Sequence, residues 1–204
     1  MRSLARLPLL LAALPGLVMA DTRSYEVDPA RSTMRVSVGK GGLFSFAGHE
    51  HEVLATAFEG RIVADEADLS RSTVTLAFPA AGLKVSAKGE PPEDVPKVQE
   101  KMAGAEVLDM ARFPTVTFRS TAVKGKAGAK GYDLEVTGEL SLHGVARALT
   151  LPVHVDLAEA ELSAEGHTTL RQTDYGMTPV SVAGVVKVKN ELSLSFRIVA
   201  RLTP

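Results

Sequence analysis

Two histidines separated by one residue form the most reactive local pattern in the sequence. His49 and His51 flank a single glutamate. In an extended segment, residues i and i+2 point the same way and lie roughly 6.5–7 Å apart. Both imidazoles could therefore bind one Zn²⁺ or Cu²⁺ ion, but they could equally be solvated or donate to the polar head of a ligand. The candidates for a third metal ligand stand at no diagnostic spacing: Glu50, His143, His154 and His167.

The sequence carries none of the usual catalytic signatures. It contains no cysteine, which excludes thiol catalysis and Cys-ligated metals. None of its serines lies in a nucleophile-elbow sequence, and neither a phosphate-binding loop nor a dinucleotide fingerprint occurs. We therefore interpret the protein as a non-enzyme that needs no cofactor, with metal binding through His49 and His51 as the alternative.

Apolar side chains offer a second kind of site, one that binds through non-directional contact. Such a wall suits a long, repetitive hydrocarbon, because each buried methylene contributes about 0.8 kcal/mol. Ordinary core packing is the alternative for every one of these residues, since core and wall both face inward. The candidate wall residues are Phe44, Phe46, Phe58, Phe78, Phe118, Leu140 and Phe196.

The elements that would position these residues are strands. From Tyr132 to His143, apolar and polar residues alternate without a break, and alternation resumes from Leu149 to Leu157. Each segment predicts a strand with one apolar face, and the Gly-containing turn between them, His143 to Arg147, predicts an antiparallel hairpin. A hairpin cannot bury its apolar face alone, so more sheet must close over it.

The remaining sequence supplies that sheet. Similar alternation recurs along the chain and predicts eight or nine strands, with Lys124 to Gly131 as a turn. A helical period from Glu93 to Met102, with Pro96 in its first turn and Gly104 after its end, predicts one short helix. The helix is either a lid or a plug at one end. The fold class is therefore all-β, an antiparallel sandwich or closed barrel, and a barrel of about eight strands can hold one ligand.

The N-terminus predicts a cleaved signal peptide over residues 1–20. Arg2 and Arg6 precede an apolar run that ends in small residues before Asp21. A membrane anchor is the alternative, but prolines and a glycine interrupt the run. The mature chain, 21–204, would be a single domain without an integral membrane span. It retains 21 basic against 24 acidic residues, a formal charge of −3, which disfavours nucleic acid as a partner.

Four motifs in order resemble the YceI-like, polyisoprenoid-binding family. Phe113 to Thr121 reads FPTVTFRST and Gly138 to Arg147 reads GELSLHGVAR. Tyr25 to Pro29 and Asp174 to Gly176 fit the same pattern. Gln172 departs from it, because the family more often has arginine there.

The resemblance implies a periplasmic, lipocalin-like barrel that encloses an isoprenoid or a quinone-like lipid. His49, His51, His143 and Arg147 are the candidate contacts to its polar head, with a structural role in the turn as the alternative for His143 and Arg147. Two other hypotheses stay open, namely a metal-dependent protein and a barrel that acts through its surface. The oligomeric state also stays open, with a homodimer joined at a strand edge as one option.

Overall fold

A computed structural model describes residues 22–41, 51–88, 91–182 and 186–204. The predicted signal peptide, Phe44, Phe46 and His49 lie outside these ranges. Within them the chain forms twelve strands, one α-helix and several short 3₁₀ turns. No helix in this part of the chain has the length and apolarity needed to cross a membrane.

Most of the strands begin and end near the turns that the sequence predicts. The first six are β1 (Thr22–Val27), β2 (Thr33–Gly41), β3 (His51–Ala55), β4 (Glu59–Asp65), β5 (Thr73–Pro79) and β6 (Leu83–Val85). The helix α1 (Val95–Ala103) follows. The last six are β7 (Thr115–Ala127), β8 (Tyr132–Leu142), β9 (Val145–Leu157), β10 (Glu161–Arg171), β11 (Ser181–Val182) and β12 (Val186–Leu202).

Eight antiparallel strands close into a barrel, as the resemblance predicts, rather than into the sandwich that the alternation also allowed. Three of the eight are bent strands made of two segments each, because β1 and β2 both pair with β12. In the same way, β4 pairs with β1 while β3 pairs with β2, and β5 pairs with β4 while β6 pairs with β3. From β5 the order runs through β7, β8, β9 and β10 to β12, which returns to β1 and closes the sheet.

The apolar parity of each strand faces inward. In β8, for example, Val136, Leu140 and Leu142 are buried, whereas Asp133, Glu135 and Glu139 are exposed. The same pattern holds on β9 and β10, so the core lies inside the barrel. Burial of one face of every strand fixes the register, because a slip by one residue would turn the apolar set outward.

Two predicted turns are shorter than expected. The β7–β8 hairpin turns at residues 128–131 rather than from Lys124, because an irregularity between Ser120 and Ala122 shifts the parity and lets β7 continue to Ala127. The β8–β9 turn consists of His143 and Gly144 alone, both at positive φ of 53° and 73°. A two-residue turn of this kind matches the twist of the flanking strands.

The two ends of the barrel differ in what covers them. At the helix end, defined by α1, the His143–Gly144 turn and residues 172–180, the helix packs next to β6. At the opposite end lie the turns at residues 66–72, 128–131 and 158–160. Helix α1 begins with Pro96 in its first turn and is capped by Gly104, as predicted.

Candidate functional site

An apolar cavity of about 270 Å³ runs through the inside of the barrel. This volume is near the lower end of the range for small-molecule pockets, roughly 300–1,000 Å³. Every strand of the closed barrel except β1 contributes to its wall, as do α1 and the segment after it. Typical wall residues are Val36, Leu76, Val136, Leu151, Ala164 and Leu192. Such a wall offers contact but almost no hydrogen bonds, so it suits an apolar molecule better than water.

Four of the predicted wall residues line this cavity: Phe78, Phe118, Leu140 and Phe196. Phe58 differs from the prediction. It is buried, with 5% of its surface exposed, but it packs against Phe78 outside the wall, with ring centroids 5.1 Å apart and planes inclined by 29°. Alternation could not separate these two roles, because both rings belong to inward-facing positions. Phe44 and Phe46 lie outside the described residues.

Most of the wall is aliphatic rather than aromatic, whereas six of the seven predicted wall residues are phenylalanines. Leucine and valine from β8, β9 and β10 form a continuous surface, and Met102 of α1 adds to it at the helix end. The signal was present in the sequence, because each of the wall residues on these strands has inward parity. The wall therefore follows from the parity of the strands, which aliphatic and aromatic residues share.

The helix end brings His143 and Arg147 together with the 3₁₀ turn Gln172–Tyr175. Both ring nitrogens of His143 face carbonyl oxygens, Nδ1 at 3.1 Å from Tyr175 and Nε2 at 3.2 Å from Ala105. The Nε of Arg147 donates to the carbonyl oxygen of Asp174 over 3.0 Å. These bonds give both residues a structural role at the turn, which was the alternative to head-group binding. Contact of either residue with a ligand head stays a prediction.

At the opposite end, acidic side chains adjoin the cavity. Asp65 is only 1% exposed and accepts from the backbone N–H of Asp68 over 2.9 Å. Burial alone would raise the pKa of this carboxyl, but the bond from Asp68 and the Arg71 guanidinium outweigh it and lower the pKa. The hydroxyl of Tyr132 donates to Glu66 over 2.8 Å. This bond, together with burial, raises the pKa of Tyr132.

His51 lies on β3, half-buried and opposite Val38 on β2. Its proposed companion His49 lies outside the described residues, so their mutual geometry is undefined. Across the described part of the chain, no three His, Asp or Glu side chains are placed to hold a metal ion. The arrangement of the described residues therefore gives no support to the metal hypothesis.

Comparison with known proteins identifies the same family as the four motifs. The model of the YceI-like domain matches residues 25–200. Proteins named YceI from Salmonella arizonae and Salmonella newport are 40% identical over 65 residues, 32% of this chain. The match spans only 28% of the length of these relatives.

Solved structures resemble the fold over most of its length. BcnA of Burkholderia cenocepacia matches with a TM-score of 0.66 at 21% identity, over 85% of this chain and 98% of its own. A polyisoprenoid binding domain from Saccharophagus degradans, implicated in plant cell wall breakdown, matches with a TM-score of 0.63 at 13% identity, over 89% and 99%. At these identities the likeness establishes the fold alone.

Proposed function

Because this chain belongs to the YceI-like domain family, we propose that it binds an isoprenoid or a similar long apolar lipid inside its barrel. The apolar cavity along the barrel is the observation that carries the proposal. The mechanism is sequestration, in which the barrel wall replaces water around the hydrocarbon tail. Non-directional contact suits a flexible, repetitive chain, and each methylene removed from water contributes about 0.8 kcal/mol.

The polar head of such a ligand would lie at the rim of the helix end. Arg147 has the inward parity of β9 but is exposed, so its guanidinium stands where the wall meets solvent. His143 directly follows Leu142, the last wall residue of β8. A head group held there would be a phosphate, a phenol or a quinone, each of which a cation at the rim can contact.

Two further parts of the proposal concern location and chemistry. The N-terminal signal-like segment and the family resemblance support export to the periplasm, where the protein would carry its lipid without catalysing a reaction. Wall residues that are almost all apolar support the non-catalytic part, because general acid–base and nucleophilic catalysis need polar groups within reach of the bound molecule.

Native mass spectrometry of the mature protein, purified from the periplasm of the cell that makes it, tests this function. We expect a bound species of several hundred daltons that organic extraction removes. Titration with retinol, a fluorescent isoprenoid alcohol, tests binding independently of what co-purifies. Failure of the extracted protein to bind retinol or any longer isoprenoid would contradict the proposal.

A further inference from the structure

The wall of the barrel is interrupted between β9 and β10. Strand β9 pairs with β8 from Val145 to Val155, and β10 pairs with β12 from Glu161 to Arg171. Between β9 and β10, however, pairing covers only five positions and stops where Val153 faces Gly166. Residues 145–152 and 167–171 therefore face each other without a hydrogen-bonded ladder. We call this stretch the seam.

The seam begins where the sequence places a proline. In the tight β8–β9 hairpin, Val145 and the other odd-numbered residues of β9 direct their N–H and C=O groups toward β8. The even-numbered residues of β9 therefore direct their N–H and C=O groups toward β10. The carbonyl oxygen of Pro152 confirms this, because it lies 2.6 Å from where a Cβ of Gly166 would be. Pro152 would be the next residue of β9 to exchange a pair of hydrogen bonds with β10, but it has no N–H to donate. Pairing ends at this position.

Two other discontinuities in the barrel are covered by neighbouring chain. Strand β7 extends past β5, and the turn at residues 66–72 packs there with Leu69 in the cavity wall. Strand β6 is a free edge, and Gln99 of α1 pairs with it as a strand would. Its Oε1 accepts from the N–H of Val85 over 2.9 Å and its Nε2 donates to the carbonyl of Leu83 over 3.1 Å.

The seam has no comparable cover. Among residues 22–41, 51–88, 91–182 and 186–204, no third strand pairs with either margin. Side chains fasten it at the helix end, where Arg147 of β9 donates to the carbonyl oxygen of Asp174 and a ring nitrogen of His143 contacts that of Tyr175. Both acceptors lie in the turn that continues β10. These side-chain contacts with backbone carbonyls join the two margins at the helix end of the seam.

The cavity lies directly behind the seam. Leu149 and Leu151 on one margin and Leu170 on the other are wall residues. At the helix end the cavity meets Met102 and Leu108, and at the opposite end it meets Leu69 and Glu66. A long chain that entered through either end would have to displace one of these groups and then thread along the barrel axis. Parting the seam would instead admit the chain sideways.

We propose that the seam between β9 and β10 is the portal through which the apolar chain enters and leaves the cavity. This inference rests on the proposed function. Opening requires few backbone hydrogen bonds to break, because the ladder between the margins ends where Val153 faces Gly166. Arg147 and His143 act as a latch that releases the β9 margin from the turn after β10.

Joining the margins covalently tests the portal. The chain has no native cysteine, so only introduced thiols react. The β9–β10 register, continued past Val153 and Gly166, places Thr150 opposite Thr169, and both side chains are exposed. The test protein carries Thr150→Cys and Thr169→Cys, joined by a short bifunctional thiol reagent. The matched control carries Thr150→Cys and Thr137→Cys, which join β9 to its regular partner β8, where the two native hydroxyls lie 3.0 Å apart.

Retinol association and dissociation are then followed by stopped-flow fluorescence. We expect the joined seam to slow both rates at least tenfold while the dissociation constant stays within about twofold, and the control to match the unjoined protein. Equal rates in joined seam and control would overturn the portal, as would a loss of affinity without slower exchange. If the unjoined protein binds no isoprenoid, the proposed function itself fails, and that result appears before any crosslinking.

A second variant tests the latch without a crosslink. Arg147→Lys keeps the charge but cannot place a guanidinium Nε against Asp174, so we expect faster retinol exchange than in the native protein. Unchanged or slower exchange in this variant would contradict the latch. Thermal unfolding of each variant establishes that it is folded before the rates are compared.

Discussion

The ring of Phe196 lies against Gly166 on the neighbouring strand, in the space that a side chain there would occupy. A Cβ atom at residue 166 would come within 2.5 Å of Cζ of Phe196. The two residues are register partners across β10 and β12. Phe118 on β7 fills the space beside Gly138 on β8 at a corresponding distance of 2.4 Å, although the register partner of Gly138 is Ser120. Each glycine thus gives a phenylalanine room against the barrel wall.

Replacing this glycine should narrow the cavity. In Gly166→Ala the added methyl group would meet both the ring of Phe196 and the carbonyl oxygen of Pro152, and overpacking of this kind typically costs about 1–3 kcal/mol of unfolding free energy. We expect weaker binding of retinol, measured by fluorescence titration, and a lower midpoint in chemical denaturation. Gly39→Ala is the matched control, because the atoms nearest its methyl group would belong to the flexible side chain of Lys189. Equal retinol affinity in the two variants would contradict a role for Phe196 in the wall.

Gln99 should stabilise the barrel through the free edge of β6. Gln99→Ala removes both side-chain bonds to β6, and with a net value of roughly 0.5–1.5 kcal/mol per hydrogen bond we expect a loss of about 1–3 kcal/mol. The measurement is urea denaturation, with hydrogen exchange at Val85 as a local readout. Glu100→Ala, at an exposed neighbouring position on α1, is the control. A loss no larger than that of the control would show that the edge needs no partner.

The alternation of residues predicted an antiparallel sandwich or barrel and the family resemblance predicted the barrel, but neither predicted its interruptions. Parity identifies which side chains face inward, so β8, β9 and the aliphatic wall follow from the sequence. How far two neighbouring strands stay paired depends on the backbone of both, and alternation does not report it. Pro152 was the available signal, because a proline inside an otherwise regular strand indicates a position where the ladder cannot continue.

The site was less predictable than the fold for a related reason. Arg147 was assigned to a turn, but the turn is only two residues long, so Arg147 belongs to β9 with inward parity. Phe58 and Phe78 carry the same sequence signal and are packed in different roles. Three-dimensional packing decides which of two inward-facing side chains contacts the cavity, and the sequence pattern does not report it.

His154 should make stability depend on pH. Its Nδ1 lies 2.8 Å from the Asp133 carboxylate and its Nε2 lies 3.7 Å from that of Asp156, while Glu165 is its register partner on β10. The hydrogen bond to Asp133 is the main cause that raises the pKa of His154, with smaller contributions from the charges of both aspartates. A raised pKa in the folded state means that the stabilisation is fully present below the unfolded pKa, about 6.5, and is lost as pH rises through the folded pKa.

We therefore expect His154→Ala to cost more stability at pH 5.5 than at pH 8.5, as measured by urea denaturation at both values. An NMR titration of the imidazole gives the pKa directly, and Asp133→Asn should lower it. His167→Ala, an exposed histidine on β10, serves as the control. If the cost of His154→Ala were the same at both pH values, the ion pairs would not contribute to stability.

The seam makes a prediction that needs no ligand at all. Because the even residues of β9 turn their backbone groups away from β8, the amides of Ala148 and Thr150 have no strand partner, whereas those of Leu149 and Leu151 bond to β8. Hydrogen exchange followed by NMR should therefore alternate along the strand. We expect Leu149 and Leu151 to exchange at least about 100-fold more slowly than their neighbours, since protection follows the free energy of local opening. Below the seam His154 and Asp156 face β10, where pairing is intact, so alternation should disappear there. Uniform protection from residue 148 to residue 156 would mean that β9 and β10 are joined along their whole length, and the interruption behind the portal would not exist in solution.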